Sequence, residues 1–241
     1  MGILSFLVLM SIALRQAGAA SPVAMAEHPA MAPVMVIGFV GGFISHGNFV
    51  HGAVQIDAHL HKDYPSGLYA KVFENHHRED AHREILRLLD TNQDGKLSLE
   101  EKQSARIIIF GHSWGASETV TLARALQADS VPVLLTIQVD SVAKFGEDDS
   151  LIPANVAQAV NFYQPDGFVH GRAMIRAADP SHTQIIGNFR FDYASNPVPC
   201  KGYPWYARVF EKPHIEIECD PKVLDRVESL IRSKLSQPTP S

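Results

Sequence analysis

The chain has 241 residues, 46% of them hydrophobic and 20% charged, with a formal net charge of −5. That length suits one sizeable domain or two small ones, and the mildly acidic balance excludes the basic patch a nucleic-acid partner needs. No apolar run of 18 or more residues lies beyond the N-terminus, so no stable membrane span is expected.

Residues 2–14 read GILSFLVLMSIAL, an apolar core too short to cross a bilayer. Ala17-Gly18-Ala19-Ala20 follows, and Gly18 and Ala20 fit a small-x-small cleavage pattern ahead of Ser21. Residues 1–20 are therefore expected to be a signal peptide, which implies a secreted or periplasmic protein. Residues 21–33, rich in Ala and Pro, read as an extension without period. Residues 34–40 (VMVIGFV) form a continuous apolar run that ends at Gly41-Gly42, the mark of a strand buried on both faces. Residues 49–61 carry a mixed pattern read as helical, 68–73 alternate as a strand, and 80–89 place Ile85, Leu86 and Leu89 on one helix face. Residues 106–110 (RIIIF) are a strand, 111–115 a sharp turn, and 116–127 a helix with Val120, Leu122, Ala123 and Leu126 inward. A further buried strand, 131–139, closes on Asp140. Residues 145–171 look irregular, while 172–177 and 183–191 read as strands. Asp220 caps a last helix that has Pro221 in its first turn. Buried strands alternating with helices predict an α/β fold, a mostly parallel sheet flanked by helices.

Gly111-His112-Ser113-Trp114-Gly115 matches G-x-S-x-G, between a strand and a helix. That setting is what a nucleophile elbow needs, because a strained turn lifts the serine hydroxyl above the sheet. A serine hydroxyl also needs a base. His170, His182 and His214 follow at useful distances, and His214, shortly before the last helix, is favoured. An acid must hold the tautomer of that base. Asp140, at the end of the strand after the elbow, is favoured over Asp179. An oxyanion hole needs two backbone N–H groups. One is expected from Trp114, the other from the loop after the first strand, with Phe39 ahead of Val40.

The twelve residues 90–101 (DTNQDGKLSLEE) match an EF-hand loop position by position. Asp90, Asn92 and Asp94 offer side-chain oxygens, Lys96 a carbonyl, Ser98 a hydroxyl, and Glu101 a closing bidentate carboxylate, with Gly95 at the sharp turn. Only residues 102–105 separate Glu101 from the next strand, so the exit helix is stunted. A lone loop of this kind implies a structural calcium site over residues 78–105 and not a sensor that opens a groove. In an exported chain Cys200 and Cys219 are candidates for a disulfide, with two buried thiols as the alternative.

The order strand–GFVGG, strand–GHSWG–helix, strand–Asp140 and a late His214 resembles the α/β-hydrolase superfamily, within its lipase and thioesterase-like members. The resemblance covers most of residues 34–235 and implies hydrolysis of a small-molecule or lipid ester, or of a thioester. An Asp directly after the strand that follows the elbow is similar to the lipase branch. Where lipases usually carry a His before the strand-end Gly, this chain has Ile37. A non-catalytic calcium-binding protein on the same scaffold is the competing expectation, since a fold alone does not prove activity.

Overall fold

The computed structural model describes residues 32–235, so the expected signal peptide lies outside the described residues. Six strands form one sheet: β1 (Val34–Val40), β2 (Leu68–Glu74), β3 (Ile107–His112), β4 (Val133–Val139), β6 (Val156–Tyr163) and β8 (Gln184–Arg190). All neighbours pair in parallel, in the order β2-β1-β3-β4-β6-β8. The short strands β5 (Leu151–Ile152) and β7 (Arg176–Ala177) form a separate two-stranded pair. Parallel neighbours need crossovers: α1 (Gly52–Asp63) connects β1 to β2, α2 (Arg78–Leu89) lies between β2 and β3, and α4 (Trp114–Ala128) connects β3 to β4, while α7 (Pro221–Leu235) follows the last strand. The result is a parallel sheet flanked by helices, the α/β architecture expected from the sequence.

The continuous apolar runs are explained by burial on both faces. Along β3, Ile107 and Ile109 enter one core with Ile85 and Leu89 of α2 and Val120 and Leu126 of α4. Ile108 and Phe110 enter the other, with Val54 and Leu60 of α1 and Val223, Val227 and Ile231 of α7. A strand whose alternate residues feed two cores cannot alternate apolar with polar.

The stretch 145–171, expected to be irregular, contains the eight-residue strand β6. Its polar residues hid it, yet Asn161 is buried and its side-chain amide donates to the Arg172 carbonyl (2.8 Å) and the Asn188 carboxamide oxygen (3.2 Å). Only two residues of the expected strand 172–177 are paired. Two short helices, α5 (Trp205–Phe210) and α6 (Lys212–Cys219), occupy a segment for which no element was expected. Cys200 and Cys219 are joined in a disulfide that spans both helices.

Candidate active site

Ser113 stands between the end of β3 and the first residue of α4, with φ 58° and ψ −126°. A non-glycine residue in that region is strained, by roughly 1–3 kcal/mol, and persists only where its surroundings hold it. Here the Ser113 N–H donates to the Val139 carbonyl (3.0 Å) and its carbonyl accepts from Ala116 (3.0 Å). The flanking glycines are needed because a Cβ on Gly111 would lie 2.4 Å from the Gly115 carbonyl oxygen. The N–H of Trp114 lies in the first turn of a 15-residue helix, where no intrahelical acceptor exists and the helix dipole is positive.

Asp140 directly follows β4, also with positive φ (45°), and is fully buried. One carboxylate oxygen, Oδ1, accepts from the N–H groups of Gln164 (3.2 Å) and Gly171 (2.8 Å). The other, Oδ2, accepts from the Gln164 amide nitrogen (2.8 Å) and from Nδ1 of His214 (2.7 Å). His214 is 4% exposed and lies in the first turn of α6. A neutral His that donates through Nδ1 keeps its basic lone pair on Nε2. Ser113 and His214 line one cleft of about 640 Å³, together with Gly41, Gly42, Trp114 and Tyr203.

Asp179 lies elsewhere. It is half-buried and bonded to Ser181 (2.6 Å) and to the exposed His182 (2.9 Å), and neither Asp179 nor His182 lines the cleft. The exposed His170 also lies outside the cleft lining. The expected oxyanion donor Phe39 is fully buried within β1, in register with Phe73 and Gly111. Val40 is likewise a buried residue of β1. The segment that meets the nucleophile begins one residue later, since a Cβ on Gly41 would stand 2.7 Å from the Ser113 Cβ and 3.4 Å from its Oγ. β1 ends at Val40, where the glycine pair placed its end, and the segment that approaches Ser113 is the Gly41-Gly42 that leaves it.

Several residues at the site carried no signal in the sequence. Gln164 and Gly171 hold the Asp140 carboxylate, and Gly171 has no room for a side chain, because its Cβ would lie 2.6 Å from Oδ1 of Asp140. The cleft is also lined by a second buried carboxylate, Glu218. It accepts from His51 Nδ1 (3.0 Å) and the Tyr203 hydroxyl (2.9 Å). Burial works to raise this carboxyl, but the neighbouring His112 and His51 rings and the Tyr203 hydroxyl outweigh it and hold it at about 2. His112, inside the G-x-S-x-G motif, packs on His214 with ring centroids 4.5 Å apart.

Burial pushes the His112 imidazole down to about 4, so the ring is neutral at pH 7. Its proton sits on Nε2, which donates to the His214 carbonyl (3.1 Å). In the unfolded chain a histidine titrates near pH 6.5. The folded value lies below the unfolded one, so the stabilising contribution of this group is complete above about 6.5. It is lost as pH falls from there through about 4. The expected loss is up to about 3 kcal/mol. Thermal melts at pH 7, 5.5 and 4 should show a steeper decline for the wild type than for His112→Gln; equal slopes would contradict the assignment.

The loop 90–101 has oxygen donors throughout. Gln93 (φ 58°) and Gly95 (φ 80°) turn it sharply, and the Asp90 carboxylate accepts from the N–H groups of Asp94 (3.1 Å) and Gly95 (3.0 Å). Glu101 accepts from Thr91 N–H (2.8 Å) and from Ser98 N–H (2.9 Å), the latter as part of a capping box on the five-residue α3 (Leu99–Gln103). The Asp90, Asp94 and Glu101 carboxylates do not converge within 4.8 Å of one another. The donor set suits a hard cation, and closing it requires Glu101 to leave Ser98.

No family model matches the chain, and no curated protein matches it. Among solved structures it is similar to an acetyl xylan esterase at 11% identity and TM-score 0.41, over 85% of this chain and 99% of that one. It is similar to human thioesterase 2 at 11% identity and TM-score 0.42, over 83% and 95%. A cutinase-like protein from Cryptococcus sp. gives 13% identity and TM-score 0.43, over 84% and 95%.

Proposed function

We propose that this protein is a serine hydrolase that cleaves carboxylic ester or thioester bonds, with Ser113 as nucleophile, His214 as base and Asp140 as its orienting acid. The observation that carries this reading is a buried 2.7 Å His–Asp hydrogen bond in the same cleft as a serine on a strained strand-to-helix turn. Ser113 Oγ attacks the acyl carbonyl carbon as its proton passes to Nε2 of His214. The carbonyl electron pair moves onto oxygen, where the Trp114 N–H and the N–H of the Gly41–Gly42 peptide receive it. As the pair returns, the bond to the alkoxide or thiolate breaks, and the leaving group takes the proton from His214. Water then repeats the sequence on the acyl-serine. Asp140 orients His214 and holds the tautomer that leaves Nε2 basic.

The cleft mouth favours an apolar acyl group. Phe43 (92% exposed) packs edge-on against Trp114, and Tyr206 belongs to α5, whose Trp205, Val209 and Phe210 are also exposed. The test is labelling by a fluorophosphonate probe, followed by p-nitrophenyl esters of rising chain length. Absence of labelling in the folded protein would overturn the reading and leave a calcium-binding protein on a hydrolase scaffold. The Cys200–Cys219 disulfide suits an oxidising compartment, which supports a secreted or periplasmic location.

We also read the loop 90–101 as a structural calcium site, held by Asp90, Asn92, Asp94, Lys96, Ser98 and Glu101. It meets the sheet at the start of β3, about 20 Å along the strand from Ser113. An ion there acts on stability and not on the chemistry, by binding the folded loop and not the unfolded chain. Chelator is expected to lower the melting temperature by several degrees, and millimolar calcium to restore it. Glu101→Gln should remove that response, because Gln still serves the capping box but not the bidentate site. An identical melt with chelator and with calcium would refute the site.

A further inference from the structure

Among the described residues, one group of three potential metal ligands gathers its donor atoms within 4.8 Å of one another, and it is not the loop 90–101. Glu74 is the last residue of β2, and His76 and His77 lie in the turn that leads into α2. His76 Nε2 stands 3.2 Å from Glu74 Oε2, and the two imidazole rings have centroids 4.3 Å apart. Around a tetrahedral zinc with bonds of 2.0–2.1 Å, neighbouring donor atoms are about 3.3 Å apart. The His76–Glu74 pair already has that spacing, and His77, on an exposed side chain, needs only a small turn to join it. The other oxygen of this carboxylate, Oε1, is occupied by His46 Nδ1 at 3.2 Å. That bond fixes the carboxylate plane and leaves Oε2 directed at the two histidines.

We propose that Glu74, His76 and His77 bind a divalent transition-metal ion, with His46 orienting the carboxylate. Two imidazoles among three ligands favour a borderline ion such as Zn²⁺ over calcium or magnesium, which take oxygen donors. The site has a mechanical neighbour. Asn75, between the ligands, is buried, and its side-chain amide donates to the Gly42 carbonyl. Its own carbonyl accepts from Lys144 Nζ (2.9 Å). His46 belongs to the same loop as Gly42. An ion at Glu74–His77 therefore braces, from both Asn75 and His46, the loop that packs against Ser113. The inference does not depend on hydrolysis, because it concerns binding.

The test is isothermal titration of ZnCl₂ into the full chain carrying Glu101→Gln, so that the loop 90–101 does not contribute, with melting curves in parallel. One Zn²⁺ per chain is expected, with a rise in melting temperature of about 5 °C at a hundredfold excess over Kd. Glu74→Gln and His76→Ala should each weaken binding at least tenfold, and His46→Ala less than either. His59→Ala, which removes an exposed histidine paired with Glu228 on a distant helix, should leave binding unchanged. Metal-free melts of the variants will show that they fold. No binding, binding unaffected by Glu74→Gln and His76→Ala, or binding lost with His59→Ala would each overturn the site.

Discussion

Ser113→Ala is expected to lower ester turnover by roughly four to six orders of magnitude and to abolish fluorophosphonate labelling, while the chain stays folded. The size of the effect follows from the chemistry, because no other nucleophilic side chain occupies the elbow. The small remainder would come from the N–H groups around Trp114 and from substrate binding, which survive the change. Stability should hardly move. Alanine occupies the same strained backbone (φ 58°), and the Ser113 backbone bonds to Val139 and Ala116 do not involve the hydroxyl. Wild-type labelling in Ser113→Ala would assign the nucleophile to another residue.

Asp140→Asn is expected to cost about 10⁴-fold in turnover with little loss of stability. Oδ1 accepts two backbone N–H groups, from Gln164 and Gly171, so the asparagine oxygen must take that position. Its NH₂ then faces His214 Nδ1 and the Gln164 side chain. The Gln164 carboxamide can meet this only by flipping, which gives its otherwise unpartnered buried oxygen a donor but gives up its own hydrogen bond to the Val169 carbonyl (3.0 Å). His214 accommodates it by accepting at Nδ1, which moves its proton to Nε2. The atom needed as base is then already protonated. Asp179→Asn should leave turnover unchanged, because Asp179 serves only Ser181 and His182 at the surface. Equal losses in the two variants, or loss only in Asp179→Asn, would reverse the assignment of the acid.

What could be read from the sequence was whatever depends on local chemistry. The apolar runs of β1, β3 and β4 declare burial on both faces, and the G-x-S-x-G turn declares its own strain. The pairing of Asp140 with His214 spans 74 positions, and chain order alone made it the favoured choice. What stayed hidden depends on partners supplied by the fold. β6 buries Asn161 because Arg172 and Asn188 meet it, and polar residues with distant partners look like loop residues beforehand. Glu218, His51 and Tyr203 lie in three separate segments and form one cluster only after α1 and α6 are packed. The end of β1 at Val40 was legible from the Gly41-Gly42 pair, but which residue beyond it meets Ser113 depends on how the following loop packs on the elbow.

The disulfide has a consequence for how the site can vary. Cys200 and Cys219 close a ring of chain that contains α5, with its exposed aromatic rim, and α6, with His214. Closing a loop of this size restricts the unfolded chain by about 3 kcal/mol. Ser113 and Asp140 lie at the ends of sheet strands, whereas His214 and one wall of the cleft belong to this cross-linked cassette. On the proposed function, changes between the two cysteines would reshape the entrance while the sheet keeps its register. The cassette is seated at several points, with His214 on the Asp140 carboxylate and on His112 Nε2, Glu218 on His51 and Ile217 in the core, so a variant cassette must keep these contacts to remain compatible with the sheet.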